Sequence, residues 1–164
     1  MASSVNTAQV QGRRKLRFNS IDELVRDIDC ILAADQAGTL RQLGNWTPGQ
    51  ILGHVAAWIN YSYDGYPLGP PPWFIRIILR MRVKKYMRDG LPAGVRIPKT
   101  EHGTFGLDPF GTADGADRLR RALTRLRSDE PVKFDSPAFG PMSKEDRIVL
   151  NLRHAELHLS FLTY

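Results

Sequence analysis

One cysteine, Cys30, is all the thiol this 164-residue chain carries. No intrachain disulfide can form, and a reducing, cytoplasmic setting is the natural expectation. No apolar run reaches the roughly 20 residues that span a bilayer, so no transmembrane segment is expected. The opening, MASSVNTAQVQGRRK, has no apolar stretch behind its basic residues and does not read as a secretory signal. No internal repeat and no low-complexity tract stand out. Strand-type alternation of apolar and polar residues is missing as well, which excludes a mostly-β architecture.

What is present is an ordinary globular balance: 42% hydrophobic, 24% charged, net charge +6. The length suits one domain with a sizeable core. Residues 1–17 offer few apolar side chains and are expected to form a loose arm, with a single domain over 18–164. Ser20 can cap a helix whose Ile21, Leu24, Val25, Ile28, Ile31 and Leu32 follow helical spacing, with Gly38 as its stop. Thr47-Pro48-Gly49-Gln50 is a second start, with Thr47 as cap and Gln50 closing a capping box, and this helix should end at Asp64-Gly65. After the breaker YPLGPPPW a third helix is expected from about 72 to 88. Residues 91–111 are rich in glycine and proline and read as a long irregular connection. A fourth helix should span about 113–127. Ser143 starts the last one, expected to run to about Leu162. Five helices, each with an apolar face to bury, make an all-α bundle the expected fold class.

The last helix carries LRHAELHLSF, with His154 and His158 one turn apart. On a wheel of about 100° per residue, Ile148, Leu152, Ala155, Leu159 and Leu162 make one apolar arc. Leu150, Leu157 and Phe161 make another. Arg153, Glu156 and Ser160 fall on a polar stripe expected to face solvent, and the two histidines fall on the opposite side, pointing inward. Side chains at i and i+4 share a face, about 6 Å apart along the axis, so both rings can reach one ion. His54, beside Ile51, Trp58 and Tyr61 on the second helix, should also point into the bundle. Three neutral imidazoles suit a divalent transition metal and leave one coordination position open. Packed core histidines are the other reading of the same pattern. The zinc-protease motif is excluded, because it requires a glutamate directly after the first histidine and Glu156 lies two positions on.

Other residues have chemistry by type. Asp27, Asp29, Tyr61 and Glu101 could serve as a general base, and nothing in the spacing selects one, so no catalytic residue is assigned. Trp58, Tyr61 and Tyr63 could line a pocket, Asn151 could orient a ligand, and His102 in the long connection could close over the site. Cys30 reads as a buried small hydrophobe, and Trp46 and Trp73 as packing anchors at helix boundaries. Arg76, Arg80, Lys84 and Arg88 form a cationic stripe on the third helix. It would suit an acidic ligand or an anionic membrane surface, or serve only as a solvated face. No aromatic platform accompanies it, so no specific nucleic-acid binding is expected.

NWTPGQILGHVAAWINYSYDGYP resembles the second-helix motif of the DinB/YfiT-like metalloenzyme superfamily, and SPAFGPMSKEDRIVLNLRHAELHLSFL resembles its last helix and lead-in. Together with GRRKLRFNSIDELVRDID, these stretches resemble an uncharacterised bacterial branch of that superfamily, often labelled metal-dependent hydrolase. The likeness covers residues 12–162. It implies an up-down-down-up four-helix bundle, here with an extra helix and the long connection. It implies zinc or nickel held by His54, His154 and His158, a small-molecule substrate, hydrolase or thiol S-transferase chemistry, and a homodimer. A non-catalytic helical binding or stress-response module with a basic face is the alternative.

Overall fold

Three side-chain caps start three of the four helices that form the core. Ser20 accepts a hydrogen bond from the Glu23 N–H and begins α1, Ile21–Gln36. Thr47 and Gln50 form a reciprocal capping box at the start of α2, Pro48–Asp64. Ser143 accepts from Asp146 N–H and begins α5, Lys144–Leu159. Each cap satisfies N–H groups that the first turn leaves without partners. The other two helices are α3, Trp73–Asp89, and α4, Thr112–Arg127. The computed structural model describes residues 5–98, 100 and 102–164.

The all-α expectation holds in outline, with one small departure. α5 ends at Leu159, three residues short of the expected end, and Leu162–Thr163 forms a strand, β2, antiparallel to β1, Arg41–Gln42. Cys30 is another correction. It is exposed, because Leu24, Ile28 and Ile31 define the inward arc of α1 and Cys30 lies off it.

The core is made by Leu24, Ile28 and Ile31 of α1, Leu52, Val55 and Ile59 of α2, Leu119, Leu123 and Leu126 of α4, and Leu152 and Leu159 of α5. α2 packs most extensively on α4. Glycine makes that approach close. A Cβ at Gly49 would come within 2.0 Å of the Phe110 carbonyl oxygen, and one at Gly115 within 2.6 Å of the Gly49 oxygen. α3 leans on α5 from outside and contributes no buried residue. Trp73, expected as a packing anchor, is 72% exposed.

The stripe of α5 expected to face water is also a correction, since Arg153, Glu156 and Ser160 are buried. The segment before α1 covers them. Arg14 N–H donates to the Ser160 carbonyl at 3.0 Å, and the Arg13 guanidinium reaches Ser160 Oγ and the Leu157 carbonyl. Glu156 accepts from both Phe18 N–H and Arg153, whose guanidinium also donates to the Phe18 carbonyl at 2.9 Å. Two buried charges thus neutralise each other and share the backbone of one residue, which is the condition for burying them at tolerable cost. Val10 and Leu16 pack against the core, so residues 10–17 of the expected loose arm lie along the bundle. Residues 1–4 lie outside the described residues.

Candidate metal centre

His54 sits two residues after Leu52 and one before Val55, both fully buried, so the turn of α2 carries its ring into the bundle. α5 presents His154 and His158 to the same point. Ring centroids are 5.1 Å apart for His54–His154, 4.5 Å for His54–His158 and 4.5 Å for His154–His158. One nitrogen from each ring lies within 4.8 Å of the other two. His54 is buried, and His154 and His158 are half-buried as whole residues.

Two tryptophans bracket the rings. Trp46 stacks on His158 at 5.3 Å and 19° and tilts against His54 at 5.1 Å. Trp58 lies 6.0 Å from His54 and 5.7 Å from His154. Its indole N–H is buried with no hydrogen-bond partner among the described residues, a spare donor beside the cluster. Tyr61 stands behind Trp58 at 5.8 Å.

The 91–111 connection contributes one backbone group. The Phe105 carbonyl lies 2.8 Å from His54 Nδ1. A carbonyl only accepts, so Nδ1 carries the proton and Nε2 keeps its lone pair. Gly106 makes this approach feasible. It adopts φ +72°, and a Cβ there would come within 2.7 Å of Ala57 on α2.

Burial holds all three rings neutral. It lowers the His54 pKa from the usual 6.5 to about 4, although the bond to Phe105 acts in the opposite direction. His154 and His158 are pushed well below the usual value, by burial first and then by the neighbouring imidazoles, with Arg13 adding to the effect at His158. Three neutral imidazoles with converging lone pairs, one with its tautomer set by a carbonyl, are a donor set that fits a divalent transition metal.

Of the remaining residues given a functional reading by sequence, Trp58 lies against the histidine rings and Tyr61 lies behind it. His102 is exposed and outside the cluster. Asn151 donates back to the Arg147 carbonyl of its own helix at 2.9 Å. The Tyr63 hydroxyl is directed to the Arg125 carbonyl. Asp27 pairs with Arg14, and Asp29 pairs with Arg120. Glu101 lies outside the described residues. Burial, helped by Asp108, raises the Tyr61 phenol pKa, so Tyr61 stays protonated at neutral pH and is no base there. Sequence reasoning missed Trp46 and the Phe105 carbonyl. A backbone carbonyl has no signature of its own, though the glycines at 103 and 106 mark a chain bent for close approach.

A helical domain with three histidines from two helices, placed so that they could hold one ion, is the class these features define. The chain belongs to the family described as protein of unknown function (DUF1569), whose pattern matches residues 10–164. No curated protein and no solved structure matches it. No helix among the described residues is long and apolar enough to cross a membrane.

Proposed function

We propose that this protein is a divalent-metal-dependent enzyme of the DinB-like kind, with His54, His154 and His158 holding zinc or nickel. The carrying observation is the convergence of three neutral imidazoles from two helices, with one nitrogen of each within 4.8 Å of the others. In this reading residues 18–164 are one domain, with α1, α2, α4 and α5 as the four-helix bundle and α3 as the extra helix. The reaction is of hydrolase or thiol S-transferase type on a small molecule, in the cytoplasm, by a homodimer. When bound, such an ion supplies Lewis acidity, lowering the pKa of a water or thiol brought to it. The chain's own contribution is to keep the imidazoles deprotonated, orient His54 through Phe105, and wall the site with Trp46 and Trp58. The unpaired Trp58 N–H is free to donate to a substrate oxygen or sulfur.

Metal analysis of protein purified without a histidine tag tests this. About one transition metal per chain is expected, lost on His→Ala at position 54, 154 or 158. Protein that holds no ion and takes none up on loading would end the proposal.

One observation favours a second reading, a metal-stabilised module without catalysis. Among the described residues no carboxylate joins the histidine cluster, so the site has no evident general base. In that case His154→Ala lowers thermal stability and metal content, while no thiol transfer or ester hydrolysis is detectable in the metal-loaded wild type.

A further inference from the structure

α3 is the helix that the bundle leaves outside. The N-terminal half of its outer face exposes Trp73, Phe74, Ile77, Ile78 and Met81, the last 79% exposed. Its C-terminal half carries Lys84, Lys85 and Arg88. On its flank, Arg76 and Arg80 line a cavity of about 460 Å³ between α3, the end of α2 and residues 133–141. Lys133 adds a third cation and Asp135 one carboxylate, so the lining is positive by two.

This cavity is constructed rather than incidental. The N–H groups of Lys133 and Phe134 both donate to the Ser62 carbonyl, at 3.1 and 3.0 Å, and tie that wall to α2. The opposite wall is a turn closed by Gly140 N–H to the Ser136 carbonyl at 2.8 Å and by Phe139 N–H to Ser136 Oγ at 3.1 Å. Gly140 lies at φ +78°, and its missing side chain leaves the bed for the Arg80 guanidinium. A Cβ there would come within 2.5 Å of Arg80 Nη2. Arg76 Nε is buried with no hydrogen-bond partner among the described residues. Among the described residues neither guanidinium has a carboxylate within ion-pair distance.

Two like charges one helical turn apart disfavour the helix unless an anion lies between them. Guanidinium forks match the geometry of phosphate oxygens and form charge-assisted hydrogen bonds with them. Phe134 and Leu68, both exposed, give the same cavity apolar lining. We propose that Arg76, Arg80 and Lys133 form a binding site for a phosphate-type oxyanion carried on a molecule with an apolar part. The group comes either from a soluble phosphate ester or from the headgroup of an anionic phospholipid. None of the three clustered histidines lines this cavity, although Tyr66 in its wall lies 6.4 Å from Trp58, and the proposal goes beyond the metal-dependent reading.

Titration with inorganic phosphate, followed by the arginine Nε–H resonances, and flotation with phosphatidylcholine vesicles with and without phosphatidic acid, test the proposal. The expected result is saturable binding to phosphate or to the phosphatidic acid vesicles. Arg76→Gln or Arg80→Gln should weaken it about tenfold or more, in line with the loss of a charge-assisted hydrogen bond. Asp135→Asn removes the opposing carboxylate from an exposed position and should strengthen binding. Phosphate binding without flotation assigns a soluble ligand. Flotation lost in both Arg80→Gln and Ile77→Ser assigns the lipid. Metal-stripped protein should bind equally well, which separates failure here from failure of the metal centre. Absence of saturable binding to both probes overturns the proposal. So does binding of unchanged strength in folded Arg80→Gln together with no gain in Asp135→Asn.

Discussion

A single carbonyl, that of Phe105, decides which nitrogen of His54 is available to an ion. Gly106→Ala would push the connection off α2, since the added carbon meets Ala57 at 2.7 Å in a backbone region that alanine resists. Loss of such an orienting partner weakens metal affinity by about 10- to 100-fold. The expected result is that shift in a competition titration with a chelator, with all three histidines still present. The neutral rings also set a pH response. Above about 6.5 His54 is uncharged in the folded and unfolded chains alike, and the site carries no penalty. Between 6.5 and about 4 the unfolded chain takes up a proton that folded His54 refuses, so stability falls as pH falls. The Tm of metal-free protein should therefore decline across this window, and less steeply in His54→Gln. The histidines were legible because inward direction follows from helical spacing. The ring of Trp46 was not, because its place against His158 depends on how α5 crosses α2.

Among the elements, α2 has the most to lose from small changes. A methyl group at Gly49 would meet two backbone oxygens, those of Phe110 at 2.0 Å and Gly111 at 2.6 Å, which cannot move as a side chain tip can. Gly49→Ala should destabilise by at least about 1–3 kcal/mol, the usual range for overpacking, as read by denaturant unfolding. Thr47→Ala removes one arm of the capping box and should cost about 1 kcal/mol. The caps at Ser20, Thr47 and Ser143 were visible in the sequence because capping is local chemistry. The β1–β2 pair was not. Its strands have two residues each and lie far apart in the chain, so neither has a periodicity to find. α3 was expected to pack through Trp73, but the bundle core is closed without it.

Across the whole molecule, polar contacts as well as apolar ones hold the N-terminal segment to α5. Arg153→Ala would leave the buried Glu156 carboxylate with only the exposed Arg17 guanidinium at 4.0 Å, and should cost up to the roughly 3–5 kcal/mol seen when one partner of a buried pair is removed. Chemical denaturation should show that loss, whereas an exposed arginine such as Arg121 should be replaceable with little effect. Composition alone made residues 10–17 read as part of a loose arm, since hydrophobic pattern analysis does not register a strap made of guanidinium and backbone hydrogen bonds. The same blindness put Arg153 and Glu156 on a solvent stripe. The wheel located the stripe correctly relative to the histidines and could not show what lies over it.

His54 and His154 are a hundred positions apart, with α3 and α4 between them. A half-synthesised chain therefore owns one imidazole of the proposed chelate, and capture of an ion there would have to follow tertiary closure. Ion release from the proposed site would then be a clock for opening of the bundle: any motion that parts α2 from α5 would dismantle the chelate at once, wherever in the chain that motion begins.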